Sequence, residues 1–363
     1  MRSNSRKMLD SIYNGIEGKY RAFQSYRSAK RRVRNMSNCE NFHKEYKEIV
    51  KPYWKKYGVK PSIVWYQLWC SRKKEVDPQF IPDSLWYSKI LPYYSNMQFR
   101  RALEDKNYHA VWFDDVKRPE TVVRNVAGVF YDADYQIITR AVAVEKCLNY
   151  KNCLVKPSID SGEGRLIRFF DREENLTAES VEKVFDEFGA NFLVQQVIRQ
   201  HPSLAQLNPD SINTIRVISF LYEGEVHILS SIVRIGKANS RVDNFGAGGT
   251  QCSILLGGQL ADEAVNKKME WGTVSMSGVP YAEIRVPSYD KIIDIIVEKH
   301  KKLAHFKLIG WDFSVDENEE PVFIEYNICP GTNQEEGIPT FGNLTDEVLD
   351  DVFIHRSLDT SKN

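Results

Sequence analysis

Two short stretches near the C-terminal end constrain this chain more than any other part of it. They are Gly310-Trp311-Asp312-Phe313 and, beginning eleven residues after Phe313, Ile324-Glu325-Tyr326-Asn327. Side chains alternate along a strand, so Trp311, Phe313 and Val315 share one face while Asp312 takes the other; in the second stretch Val322, Ile324 and Tyr326 oppose Glu325 and Asn327. Asp316 to Pro321 has no apolar side chain except the closing proline and reads as the loop of a hairpin. Matching the apolar faces sets Val315 opposite Val322, which brings Asp312 across from Glu325 with Asn327 one step further. Hard oxygens gathered this way suit Mg²⁺ carried by phosphates better than a zinc cage. A polar face turned to water is the competing expectation. Against it, Asp312 is flanked by Trp311 and Phe313, and Asn327 leads into Ile328-Cys329-Pro330-Gly331.

A phosphate-binding arrangement lies upstream. Leu154-Val155-Lys156-Pro157 is a short apolar strand ending in a lysine, and Ser158-Ile159-Asp160-Ser161-Gly162-Glu163-Gly164-Arg165 follows it. Such a loop offers backbone N–H groups and the ammonium a point charge, although the Walker order is absent. Arg216 supplies evidence of another kind, because its strand, residues 212–218, is largely apolar and a charge there needs a partner. A three-residue turn at 223–225 would set Ile232 opposite Arg216 and Arg234 diagonally beside it on the same face. Two converging guanidiniums read as an anion clamp for phosphate or carboxylate, the alternative being two structural ion pairs. The loop Asp243-Asn244-Phe245-Gly246-Ala247-Gly248-Gly249 is suited to closing over a ligand.

Residues 1–90 read as helical, with prolines as punctuation and no catalytic constellation. Strand-like and helix-like segments then mix: strands at Val129–Tyr131 and Cys153–Val155, a helix over Thr177–Phe188, a hairpin of Asn213–Tyr222 with Val226–Ile235, and a helix capped by Ser288. Without strict β-α-β repetition this is an α+β chain, and at 363 residues it should form two or three lobes. No run of ~18 apolar residues or signal-like leader occurs, and six scattered cysteines without a C-x-x-C pair read as buried thiols of a reducing cytoplasm. The net charge of zero hides an asymmetry, 29 Lys/Arg against 16 Asp/Glu in residues 1–155 and 20 against 33 thereafter. In residues 1–34 ten basic residues meet only Asp10 and Glu17, and Met8, Ile12, Ile16, Tyr20 and Phe23 recur at helical spacing. That stripe is expected to pack on the domain, with contact to an anionic membrane surface as the second reading.

In their order these motifs resemble the ATP-grasp superfamily, and specifically the sugar-transfer-associated ATP-grasp proteins, over roughly residues 90–350. The resemblance implies a fold of two α+β lobes gripping ATP behind a helical, basic extension at 1–90. It divides the remainder into 91–152 as the N-terminal part, 153–198 as the ATP-binding lobe, 199–355 as the catalytic lobe and 356–363 as a tail. It implies nucleotide-binding lysines at Lys106 and Lys156, and a mobile glycine loop carrying Ser161, Gly162 and Gly164. It further implies an adenine-facing hinge at Gln195, Gln196 and Ile198, where many relatives carry glutamates, and closing-loop contacts from Asn244, Gly248 and Gly249. Arg216 and Arg234 would be catalytic, and Asp312, Glu325 and Asn327 would hold Mg²⁺. The implied activity is that of a ligase. ATP converts a carboxylate to an acyl phosphate, and an amine displaces phosphate to form an amide on a sugar or amino-acid component of a surface polysaccharide. The expected partners are therefore a small carboxylate and an amine, free or on a sugar carrier, and no nucleic acid. A kinase stopping at phosphoryl transfer and a nucleotide-binding partner of a glycosyltransferase are the competing classes.

Overall fold

The computed structural model describes residues 2–150, 152–159, 166–170 and 176–355. The expected glycine-loop residues Ser161, Gly162 and Gly164 lie outside the described residues. The first part is helical, as its pattern suggests. Helix α1 spans Arg2–Asn35 and α2 spans Ile63–Cys70, where Ser62 accepts a bond from the Val64 amide as an N-cap. Short helical turns continue to Trp112. Buried Trp54, Trp65, Trp69 and Trp86 hold this part together, with Trp65 and Trp69 stacked at 5.2 Å.

Helix α1 packs the opposite way from expectation. Gly18 and Ala29 are buried, and a Cβ on Gly18 would come within 2.7 Å of the Tyr87 carbonyl, so the helix docks through small residues that permit close backbone approach, with Tyr26 and Val33 packed on the core beside them. Ile16, Tyr20 and Phe23 are exposed. The side chains of Met8 and Ile12 lie outside the described residues.

Two antiparallel sheets follow. The first contains β1 (Thr121–Val126), β2 (Val129–Tyr131), β3 (Ile137–Ile138), β4 (Cys153–Pro157), β5 (Arg168–Phe170) and β6 (Phe192–Gln196), in the order β3-β2-β1-β6-β4-β5. Helices α3 (Arg140–Asn149) and α4 (Ala178–Phe188) cover its apolar face, where Val155, Val194, Phe192, Val181 and Phe185 are buried together. Thr177 opens α4 with a capping box shared with Ser180. The second sheet contains β7 (Thr214–Tyr222), β8 (Glu225–Ile235), β9 (Thr250–Ile254), β10 (Leu260–Asn266), β11 (Trp271–Gly272), β12 (Leu308–Val315) and β13 (Pro321–Asn327), ordered β11-β10-β9-β8-β7-β12-β13. Ile215, Val217, Val233, Cys252, Trp311 and Phe313 form its core face against α5 (Tyr289–His300). The chain is therefore α+β, two lobes behind a helical N-terminal region.

Several local expectations change. Asp312 pairs with Glu325 as the pattern requires, but a bulge beyond them sets Phe313 opposite Phe323 and Val315 opposite Pro321, so Val315 does not face Val322. The extra residue is Ile324. The β7–β8 turn holds two residues, Glu223 and Gly224, both at positive φ, and a bulge between Ile218 and Ser219 restores the register in which Arg216 faces Ile232. Ser288 does not cap α5: its backbone is left-handed, and its hydroxyl donates 2.6 Å to the Glu319 carbonyl. The cysteines are free thiols, with Cys39 and Cys329 only partly buried.

Candidate active site

Cross-strand partners point to the same side of a sheet. Glu325, Asp312 and Arg216 pair successively across β13, β12 and β7, so they form a row on the face opposite the Trp311 core. Asp312 is 3% exposed, so the hairpin face is not turned to water. Asn327 pairs with Gly310 in the adjoining row, and its amide donates 3.2 Å to Asp312 Oδ2. Gly310 has a packing reason to be glycine, because a Cβ there would lie 2.9 Å from Pro330 Cβ and 3.6 Å from Arg216 Cδ.

The first sheet presents Lys156 to the same cleft. Lys156, Leu193 and Arg124 pair across β4, β6 and β1 and share a face, with Gln195 next on β6. Lys106 arrives from a short turn whose N-cap, Asp105, accepts from the Asn107 amide, while the Lys106 amide donates 2.9 Å to the Ser158 carbonyl at the end of β4. The Lys106 ammonium lies 3.2 Å from Glu325 Oε2. Lys106, His109, Arg118, Arg124, Lys156 and Gln195 line one narrow cavity together with Phe323 and Ile324, the bulged residue. The carboxylates and lysines expected from separate motifs thus meet between the two sheets.

Electrostatics follow from burial and these neighbours. Burial raises the cost of charge on Glu325, yet Lys106, Lys156 and Arg216 outweigh it and hold the carboxyl well below the usual carboxylate range. Burial pushes Lys156 down to about 8, aided by Lys106 and opposed by Glu325 and Asp312. The Arg216 guanidinium grips Asp312 by both oxygens, Nε to Oδ1 at 2.5 Å and Nη2 to Oδ2 at 2.6 Å. Arg234 pairs with Asp243, Nε to Oδ2 at 3.8 Å. The two arginines therefore have separate carboxylates of the chain, and mutual repulsion does not by itself require an external anion between them. That corrects the physical argument for a clamp.

Other expected residues disperse. Gln196 and Ile198 line a second cavity of about 510 Å³ with Asn149, Tyr150, Asn152, Val197 and Arg199, and not the lysine cavity. Asn244 begins a short turn, Gly248 follows it at φ 105°, and Gly249 is buried where a Cβ would lie 2.5 Å from the Ile235 carbonyl. This loop lies against the end of β8 beside Arg234.

Sequence reasoning missed His109 and Arg124. His109 is buried against Tyr326, ring centroids 4.6 Å apart, and its Nε2 has no hydrogen-bond partner among the described residues. Burial, with Lys106 beside it, keeps the ring neutral, its pKa lowered to about 3. Arg124 donates 2.9 Å to the Asn107 carbonyl, lies over the Tyr135 ring at 4.4 Å, and braces the segment carrying Lys106. A signal existed for each: His109 follows Lys106 by one helical turn, and Arg124 is a charge in the apolar run Thr121–Val126.

A family model described as sugar-transfer associated ATP-grasp matches residues 92–337. The chain belongs to that family. Solved structures similar to this ATP-grasp chain include D-cycloserine synthetase DcsG, at 16% identity over 72% of this chain and 73% of that one, with a TM-score of 0.41. Another is the D-alanine-D-alanine ligase of Coxiella burnetii, at 13% identity over 74% of this chain and 62% of that one, TM-score 0.43. A third is an L-amino acid ligase of Bacillus licheniformis, at 16% identity over 68% and 47%, TM-score 0.36. No curated protein matches the chain. Membership makes this an ATP-grasp ligase that uses ATP and Mg²⁺.

The donor set fits that metal. Among the described residues no group of three or more His, Cys, Asp or Glu side chains forms a cage. Two carboxylates and an amide oxygen gathered on one face are instead what Mg²⁺ needs when phosphates complete its shell. A cation already lies against each carboxylate, Arg216 on Asp312 and Lys106 on Glu325.

Proposed function

We propose that this ATP-grasp enzyme joins a carboxylate to an amine through an acyl phosphate, acting on a sugar or amino-acid component of a surface polysaccharide. One observation carries the reading. Lys106, Lys156 and Arg216 gather at Glu325 and Asp312 in a buried cleft, with Arg118 and Arg124 lining the same cavity as the lysines, a set of cations suited to a polyphosphate. The family description, sugar-transfer associated, supports the sugar component.

In this reading Lys106 exchanges the Glu325 carboxylate for a phosphate oxygen, and Lys156 holds the neighbouring phosphates. Asp312, Glu325 and Asn327 would hold Mg²⁺, which supplies charge neutralisation at the β- and γ-phosphates. The substrate carboxylate oxygen attacks the γ-phosphorus as its bond to ADP breaks. The amine then attacks the acyl carbon, the carbon–oxygen bond to phosphate breaks, and phosphate leaves with its electron pair. Arg216 supplies positive charge where oxygen charge develops in both steps. Gln195 orients the nucleotide base end of the cleft, the Asn244, Gly248 and Gly249 loop closes over the nucleotide, and Arg234 assists Arg216.

The test is ADP and phosphate release by purified protein against paired panels of amino acids and uronic-acid nucleotides. Release that requires both an acid and an amine, with an amide product by mass spectrometry, supports the proposal. A stable phosphorylated product formed without an amine would make the enzyme a kinase.

A further inference from the structure

Helix α1 has its side chains distributed against the usual rule for a surface helix. It docks through Gly18 and Ala29, with Ala22 and Ser25 partly buried on the same side and Tyr26 and Val33 packed on the N-terminal core, and turns Ile16, Tyr20 and Phe23 outward. Ile16, Tyr20 and Phe23 are 61%, 62% and 55% exposed. At 3.6 residues per turn Lys19, Arg27, Lys30, Arg31 and Arg34, all exposed, lie along the same side. The outward face is thus apolar in its earlier turns and cationic in its later ones. Glu17, the acid of residues 15–35, is turned aside into bonds with Arg21 and Arg100. The C-terminal end of the helix is anchored, Arg32 reaching Glu335 at 3.1 Å and the Lys267 carbonyl at 3.0 Å.

We propose that this face of α1 is a docking surface for a bilayer carrying anionic phospholipid. Apolar side chains at i, i+4 and i+7 enter the headgroup boundary, and the adjoining cations meet lipid phosphates. Charge complementarity selects this occupant. A polyanion without an apolar layer leaves Ile16, Tyr20 and Phe23 in water, and a second copy of the face sets cation against cation. The cations of α1 are not part of a uniformly basic chain, since residues 156–363 carry 33 Asp/Glu against 20 Lys/Arg. Among the described residues no helix is long and apolar enough to cross a membrane, so the contact is peripheral.

Sedimentation of the full chain with vesicles tests this. At near-physiological salt the protein should pellet with phosphatidylcholine vesicles containing about one-third phosphatidylglycerol, and about tenfold less with phosphatidylcholine alone. Replacing Ile16, Tyr20 and Phe23 together by Gln, or Lys30, Arg31 and Arg34 together by Glu, should each lower partitioning about tenfold. Circular dichroism and ATP turnover without lipid should remain those of the parent chain. Absence of the parent chain from the anionic pellet overturns the proposal. So does undiminished pelleting of the folded Gln variant, and so does a parent dimer that the Gln variant abolishes without any vesicle binding.

Discussion

Glu325 touches more of the proposed chemistry than any other side chain, because it pairs with Lys106 and faces Lys156 and Arg216. Glu325→Gln removes that charge and a metal oxygen together, so turnover should fall by about 10²-fold or more while nucleotide binding persists. Near-parental turnover at low Mg²⁺ would remove it from the metal shell. Lys156 yields a pH prediction. Its folded pKa of about 8 lies below the ordinary 10.5, so between those values the unfolded chain binds a proton that the folded chain has released, and stability rises with pH across that window. Nucleotide affinity has the opposite sign, because the ammonium that meets phosphate is lost above about 8. Calorimetric titration against pH should show affinity declining there, the inflection moving lower in Glu325→Gln and vanishing in Lys156→Arg. Arg216→Lys should cost about 10²-fold in turnover despite its conserved charge, since one ammonium cannot match a fork that spans both oxygens of Asp312. Intact turnover in a folded Arg216→Lys protein would make the pair structural only.

Strand periodicity carried most of what was legible among the elements. The β12–β13 hairpin and the Asp312–Glu325 pairing follow from alternation, whereas the match of Arg216 with Ile232, expected from a three-residue turn, arises from a two-residue turn and a compensating bulge. The bulges do not, because an inserted residue leaves the apolar pattern nearly intact while shifting everything beyond it by one position. At β13 this matters, since the bulge lies at Ile324 and that side chain lines the lysine cavity. Strand β1 was not foreseen, and with it Arg124 was missed as a brace for Lys106. Gly310 tests how tightly β12 must pack. Gly310→Ala sets a methyl 2.9 Å from Pro330 Cβ and against Arg216, so we expect a loss of about 1–3 kcal/mol and lower turnover. Thermal melting and ADP release measure the two effects, and an unchanged melting temperature would show that the Pro330 loop yields freely.

At the scale of the molecule, the cleft is built from two sheets that contribute opposite halves of one charge set. Lys156 comes from the first, Glu325 and Asp312 from the second, and Lys106 from the turn preceding both. Mg²⁺-ATP should therefore stabilise the whole fold by mass action, by about 2.7 kcal/mol at a hundredfold excess over Kd. A melting temperature indifferent to Mg²⁺-ATP, or raised equally in the presence of EDTA, would count against the cleft.

The sequence by itself determined the α+β class, the order of the motifs, the family and the residues that meet at Asp312 and Glu325, because those depend on local periodicity and on spacing within one hairpin. Tertiary structure alone decided who neutralises whom. Arg216 closes on Asp312 across β7 and β12, Lys106 reaches Glu325 over more than two hundred residues, and Gln196 and Ile198 turn to a different cavity from the lysines. It also decided that α1 docks through the side carrying Gly18 and Ala29 and leaves Ile16, Tyr20 and Phe23 exposed. An amphipathic pattern records that a helix has two faces, but which face meets the protein depends on the shape of the surface it lands on. Here the Tyr87 backbone comes too close for any side chain at Gly18.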